Sequence, residues 1–427
     1  MAIGADGRVR DLLAKAGRSA AAGRPLEAQQ IMRQIEIEAP NHPISLNENA
    51  QRRLSAGDPE GARRLLEAAV QAEPRMPILW LNLAAALNRL GLVELEREAL
   101  EKLLKLDPRN FTALLRAGVL EETHGNKNTA AAIYRRAIEN VPRDAVLPAD
   151  IRAQIDHGQR VVAEISAALE RFVDDRLEAV RARYRGATFS RFEKCKGAIL
   201  QKKQIYRPKP TFMYFPELPA IEFFDRDQFP WLEHIEAATN DIRDEFLTVL
   251  REDSGNLVPY VEGRTQNDIF WNLNESRRWS VYYLWKTGVA CEENLARCPK
   301  TAMALEKWPK CHLYGTAPSA VFSILDAKTL IPPHTGVNNS RLIVHLPLIV
   351  PENCWFRVGS EKREWRVGEA LIFDDTIEHE AWNGSDVPRT VMIFDIWNPF
   401  VAEGERELVT ALTAGVGEFY GALPFYV

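Results

Sequence analysis

Cysteine is scarce and unpatterned in this chain. The 427 residues hold five (Cys195, Cys291, Cys298, Cys311 and Cys354), an odd number with no Cys-x-x-Cys pair. Such usage does not suggest a disulfide framework, and reduced thiols in a cytoplasmic setting are the simpler expectation. No apolar run approaches the ~18 residues that a membrane span requires. The start, Met1-Ala-Ile-Gly-Ala-Asp, lacks a basic region followed by an apolar stretch, so neither an export signal nor a membrane partner is expected. No sign of charge dominates either. A formal net charge of -5 argues against a general nucleic-acid binder. What remains, 46% hydrophobic and 26% charged residues, is ordinary for a globular protein. A chain of 427 residues exceeds what one core usually supports, which predicts two domains.

The first third repeats itself. Pro40, Pro74, Pro108 and Pro142 stand 34 residues apart, and Gly23, Gly57, Gly91 and Gly125 recur at the same interval. That is the period of tetratricopeptide repeats. The clearest copy puts Trp80, Leu83 and Leu87 on a first helix, Gly91 at the turn, Leu100 and Leu103 on a second helix, and Pro108 at its end. Small residues that let the paired helices approach recur as Ala28, Ala62 and Ala130, with Glu96 in the third copy. Four repeats over residues 1–145 predict an α-solenoid of eight helices, each pair burying its apolar face on the next. Its surface is either a groove for a polypeptide or a scaffold or dimer contact.

Past Pro142, apolar residues at spacings of three and four run from Asp150 to Tyr184 without a proline, which predicts one long amphipathic helix over 146–185, capping the repeats and linking onward. From residue 186 aromatic residues and prolines become frequent and the helical period fades. Segments 319–325, 341–350, 354–358, 370–373 and 390–397 read as strands that close into a sandwich or barrel. The fold class is therefore α + β in two domains, a helical solenoid followed by a β domain over 186–427.

Within that β domain stand His334-Thr335-Gly336, then His379, then Arg389. Two histidines about one hairpin apart, with an arginine on the next strand, suit a divalent metal beside a dicarboxylate. The usual non-haem iron site adds a carboxylate two residues after its first histidine. Gly336 occupies that position. Pro332 and Pro333 stiffen the approach to His334, whereas His379 lies among Asp374, Asp375, Glu378 and Glu380. A buried guanidinium at Arg389 would match a carboxylate bidentately. Strand alternation puts Arg341, Ile343 and His345 on one face, so Arg341 holds substrate or forms a surface salt bridge.

The stretches Phe322–Leu325, Ile331–Gly336, Arg341–Leu346, Leu371–Trp382 and Asp395–Trp397, with Trp279 to Gly288, Cys298–Thr301 and Leu305–Pro309 upstream, resemble the aspartyl/asparaginyl β-hydroxylase family over roughly residues 190 to 400. That family's motif reads His-x-Gly, so Gly336 belongs to its pattern. The resemblance implies a double-stranded β-helix (jelly roll, cupin-like) that uses Fe(II), with 2-oxoglutarate and O2 as co-substrates. It makes His334 and His379 the metal ligands and assigns Ser323, His345 and Arg389 to 2-oxoglutarate; Asp375, close to His379 in sequence, is then a candidate to orient a metal-bound water in partial replacement of the missing carboxylate. Phe373, Trp382 and Trp397 are candidates for an apolar surround, or for ordinary core.

Two departures bear on the substrate. Animal members carry a second arginine at the position of Ile343 and a glutamine at that of Val281. Losing both removes polar partners that a substrate carboxylate needs. Arg264, Gln266 and Asn267 are upstream candidates for compensation. The leading expectation is hydroxylation of a peptide or protein side chain, with the repeats recruiting the substrate. The alternatives are the same chemistry on a small molecule or acyl chain, or an inactive repeat adaptor.

Overall fold

The protein is described by a computed structural model covering residues 2–142, 147–266 and 268–421. The expected boundary after residue 145, and Asn267, lie outside the described residues. Two compact units divide the chain, Met1–Thr188 and Phe189–Val427.

The first unit is helical: α1 (Ala2–Ala21), α2 (Pro25–Glu38), α3 (Pro43–Ser55), α4 (Pro59–Ala72), α5 (Pro77–Arg89), α6 (Val93–Leu106), α7 (Phe111–His124), α8 (Lys127–Glu139) and α9 (Ala149–Arg183). Its boundaries follow from local chemistry. Proline occupies the first turn of α2 to α5, where a missing N–H costs nothing. Asp58, Asn110 and Asn126 accept backbone N–H groups at the starts of α4, α7 and α8. Gly57 and Gly91 turn the chain at φ +81° and +69°, a conformation that favours glycine. Ala62, Leu66, Leu87, Leu100 and Leu103 are buried where these helices stack. Glu96, where the other repeats carry alanine, is buried too. Its carboxylate accepts from Asn88 (2.9 Å) and Arg116 (3.1 Å), so the larger polar group is satisfied. On the last pair, the Tyr134 ring lies over Gly118 and Gly158, where any Cβ would collide with it. Only Ile155, Gly158 and Val161 of α9 are buried, all in its first half.

The second unit carries β1 (Val258–Pro259), β2 (Trp279–Lys286), β3 (Val289–Ala290), β4 (Ala320–Leu325), β5 (Thr329–His334), β6 (Arg341–Ile349), β7 (Cys354–Val358), β8 (Glu361–Arg363), β9 (Leu371–Phe373), β10 (His379–Asn383) and β11 (Arg389–Trp397). They form two antiparallel sheets, β1-β2-β4-β11-β6-β9 with β3 beside β2, and β5-β10-β7-β8. One apolar core, with Leu325, Phe373 and Val391 from the larger sheet and Ile331, Phe356 and Ala381 from the smaller, lies between them. The other face of the larger sheet buries Phe322, Leu342, Met392 and Phe394 with Leu232, Ile242 and Phe246 from the helical segments 232–237 and 239–252. Strand alternation thus gives β4, β6 and β11 one face toward helices and one toward the smaller sheet.

β5 and β10, which carry the two histidines, escaped the strand reading of the sequence for physical reasons. Pro332 and Pro333 cannot donate to a ladder, and β5 tolerates them because it lies at a sheet edge. β10 is short and follows an acidic turn, yet its alternate residues His379, Ala381 and Asn383 are buried.

Candidate functional site

His334 and His379 are directly paired across β5 and β10, with ring centroids 4.0 Å apart. Each ring is tied at Nδ1: His334 to the Pro332 carbonyl (2.8 Å) and His379 to that of Ile377 (3.1 Å). A carbonyl can only accept, so each Nδ1 carries the proton and each Nε2 keeps its lone pair. Burial pushes His334 down to about 3 and His379 down to about 4, so both rings are neutral near pH 7. Such imidazoles fit a divalent metal. Among the described residues no third His, Cys, Asp or Glu joins them in a three-residue cluster. Phe270 meets His334 edge-on at 5.0 Å, and the exposed Arg264 stands 6.0 Å over Phe270.

The acidic residues around His379 have separate tasks. Asp374 accepts from the backbone and hydroxyl of Thr376 (2.9 and 2.6 Å), and burial raises its carboxyl to about 7. Glu378 and Glu380 both pair with Arg357. Asp375 turns toward Gly336: a Cβ there would run into its carboxylate far inside van der Waals contact. The carboxylate of Asp375 thus fills the space that a side chain two residues after His334 would enter. Its Oδ2 accepts from Arg341 at 3.2 Å, while its Oδ1 is buried with no hydrogen-bond partner. We expect Gly336→Ala to cost roughly 1–3 kcal/mol by overpacking, and Asp375→Ala in the same chain to relieve it. Urea denaturation measures both; a single variant as stable as the wild type would show that Asp375 moves away freely.

Arg341 also donates to Asp395 at 3.2 Å, so one largely buried guanidinium spans two buried carboxylates. Asp395 is raised to about 7 by burial, with the neighbouring Asp375 adding to it and Arg341 opposing. The sequence singled out Arg341 but gave Asp395 no role.

On the inward face of β4, β11 and β6, Ser323 lies opposite Val391, and Ile393 opposite His345. Arg389, two residues before Val391, is only 1% exposed. Its Nε and Nη1 have no hydrogen-bond partner, and neither does His345 Nδ1. Burial lowers Arg389 to about 10, still charged at neutral pH. His345 is held well below the ordinary imidazole range by burial and by Arg389. Ser323 Oγ accepts from Trp279 Nε1 at 3.1 Å. The unmatched donors of Arg389 are a cradle for an anion.

Of the three aromatic residues considered for the surround, Phe373 faces the site, 5.5 Å from His379 and 4.9 Å from His345. Trp382 alternates to the opposite face from Ala381, and Trp397 joins a separate cluster with Cys311 and Leu313. Trp365 went unread in the sequence, since it lies in a segment between strands and only the fold brings it to Arg389.

Residues 236–399 match the family model described as aspartyl/asparaginyl beta-hydroxylase, and residues 47–108 and 97–145 match that of the tetratricopeptide repeat. The chain is 36% identical over 173 residues to human aspartyl/asparaginyl beta-hydroxylase, covering 40% of this chain and 21% of the relative. It is 32% identical over 212 residues to human aspartate beta-hydroxylase domain-containing protein 2, covering 48% and 55%. To the ornithine lipid ester-linked acyl 2-hydroxylase of Rhizobium tropici it is 37% identical over 182 residues, covering 41% and 60%. The matches thus span from 21% to 60% of these relatives. Among the described residues no helix is long and apolar enough to cross a membrane. The chain thus joins segments that match the tetratricopeptide-repeat model to a segment that matches the aspartyl/asparaginyl beta-hydroxylase family model.

Proposed function

We propose that the C-terminal domain is an Fe(II)- and 2-oxoglutarate-dependent dioxygenase that hydroxylates a peptide or protein side chain, with residues 1–145 recruiting the substrate, 146–185 linking, and 186–427 forming a double-stranded β-helix. The observation that carries it is two neutral imidazoles with ring centroids 4.0 Å apart, each tied to a carbonyl at Nδ1, in the same domain as a buried arginine whose Nε and Nη1 have no hydrogen-bond partner. His334 and His379 hold the metal, and Arg389 with Ser323 and His345 holds the distal carboxylate of 2-oxoglutarate. The iron centre, with O2 and 2-oxoglutarate, supplies insertion of one oxygen atom into a C–H bond, with succinate and carbon dioxide as co-products.

The protein's own contribution is position and exclusion of water. The Pro332 and Ile377 carbonyls fix the imidazole tautomers. Asp375 keeps a buried, unpaired Oδ1 that would accept a hydrogen bond from a water on the metal, and Arg341 holds that carboxylate through Oδ2. Phe270 and Phe373 shield the rings. Five free thiols accord with a reducing, cytoplasmic setting.

A second reading, hydroxylation of an acyl chain, is favoured by one feature. The apolar Val281 lies opposite Ser323 and the apolar Ile343 opposite Phe373, and Arg341 is already committed to two carboxylates. The Rhizobium relative is named for an acyl substrate. Turnover assays with peptides and with acyl lipids decide between them.

Metal binding tests the shared chemistry. Because protons compete for the imidazoles only near pH 3 to 4, Mn(II) affinity is expected to hold within about threefold from pH 7 to pH 5, and to vanish in His379→Ala. Two imidazoles with ordinary values near 6.5 would lose about a thousandfold over that range. A loss of that size, or undiminished binding by His379→Ala, would overturn the site.

A further inference from the structure

Arg389 is charged and buried, and among the described residues no Asp or Glu pairs with it. One aromatic face lies against it instead. Trp365, in the segment between β8 and β9, places its ring centroid 4.5 Å from Arg389 Cζ. Trp365 is 4% exposed and stacks on Phe356 at 5.4 Å with planes 18° apart. Its centroid lies 6.1 Å from that of His345, and its Nε1 is also buried without a partner.

We propose that Trp365 is a positioning residue of the co-substrate site, its π face holding the Arg389 guanidinium in the orientation that receives a carboxylate. The proposal rests on the reading of Arg389 as the ligand of 2-oxoglutarate's distal carboxylate. A guanidinium on a flexible stem needs an orienting partner to present a fork. Ion pairs usually supply one, but a carboxylate bound permanently to Arg389 would compete with the co-substrate. An indole face attracts the cation without occupying its in-plane donors. The donors therefore remain free while the plane is set. Phe356 in turn fixes the indole, so the orientation is inherited from the core between the sheets.

The test is calorimetric titration of the full-length, Mn(II)-loaded, oxygen-free protein with 2-oxoglutarate and with 2-oxobutanoate, which keeps the oxo acid but lacks the distal carboxylate. Trp365→Leu is expected to weaken 2-oxoglutarate about thirtyfold, as loss of a desolvated cation–π contact implies, and to leave 2-oxobutanoate as in wild type. Trp365→Phe, with a weaker face, is expected to lose only about threefold, again for 2-oxoglutarate alone. Equal weakening of both compounds would reduce Trp365 to packing and overturn the proposal, as would undiminished 2-oxoglutarate binding by folded Trp365→Leu. If Trp365→Leu fails to fold, Trp365→Phe decides by the same comparison of compounds. Wild-type affinity surviving in Arg389→Ala would instead sink the assignment of Arg389, and the role of Trp365 with it.

Discussion

Arg389→Ala is expected to weaken 2-oxoglutarate binding by at least about thirtyfold, since truncating one partner of a buried, hydrogen-bonded charge pair costs roughly 2–5 kcal/mol. Nothing near Arg389 can replace it. Ser323 and His345 each offer at most one hydrogen bond, and burial keeps His345 neutral. The loss should be confined to the co-substrate, because the imidazoles keep their carbonyl partners and Mn(II) affinity is expected to stay within about threefold. The stability of the metal-free protein should respond differently. There the guanidinium is buried without a counter-ion, an arrangement that opposes folding. Arg389→Met, which keeps much of the volume, is therefore expected to be at least as stable as the wild type while binding 2-oxoglutarate no better than Arg389→Ala. Calorimetry and urea denaturation separate the two effects. A methionine variant that unfolds more easily would show that the contact with the Trp365 face outweighs the cost of burying the charge.

The parts of this protein legible in sequence are those whose signal is local. A 34-residue spacing of prolines and glycines marks a helix pair because each turn needs its own breaker. The apolar period past Pro142 ends up as α9 for the same reason. His334, His379 and Arg389 stand out through short motifs and a family resemblance. What could not be read is whatever depends on partners far along the chain. Trp365 reaches Arg389 only through the fold. Asp395 lies on β11, and nothing in its neighbours indicates that it shares a guanidinium with Asp375. Strand alternation did bring Arg341 and His345 to one face, but alternation names a direction and not a contact. The space beside Gly336 is a similar case: the sequence shows the missing carboxylate, and only the packing shows Asp375 in its place.

Arg341 is where the two kinds of information meet, and its removal should have the largest effect on the fold. Arg341→Met is expected to cost about 3–5 kcal/mol, because it strands two buried carboxylates that share one cation. The deficit should depend on pH, with a definite sign. Asp395 titrates near 7 in the folded chain and near 4 when unfolded, so the folded state holds the extra proton between those values. Stability from this carboxyl is therefore present below about pH 4 and lost as pH rises through 7. Burial raises Asp375 in the same direction. Without Arg341 both groups go higher still, so the deficit in the metal-free protein should be larger at pH 8 than at pH 5. Adding Asp375→Asn and Asp395→Asn to Arg341→Met removes both charges and should flatten that dependence, recovering part of the loss. Denaturation of the three proteins at the two pH values is the measurement. A single variant within about 1 kcal/mol of wild type at pH 8 would mean that solvent reaches the carboxylates, leaving Arg341 free for a substrate's carboxylate. A large, pH-dependent loss would mean that Arg341 is already spent within the protein, and an acidic side chain would have to find its partner elsewhere.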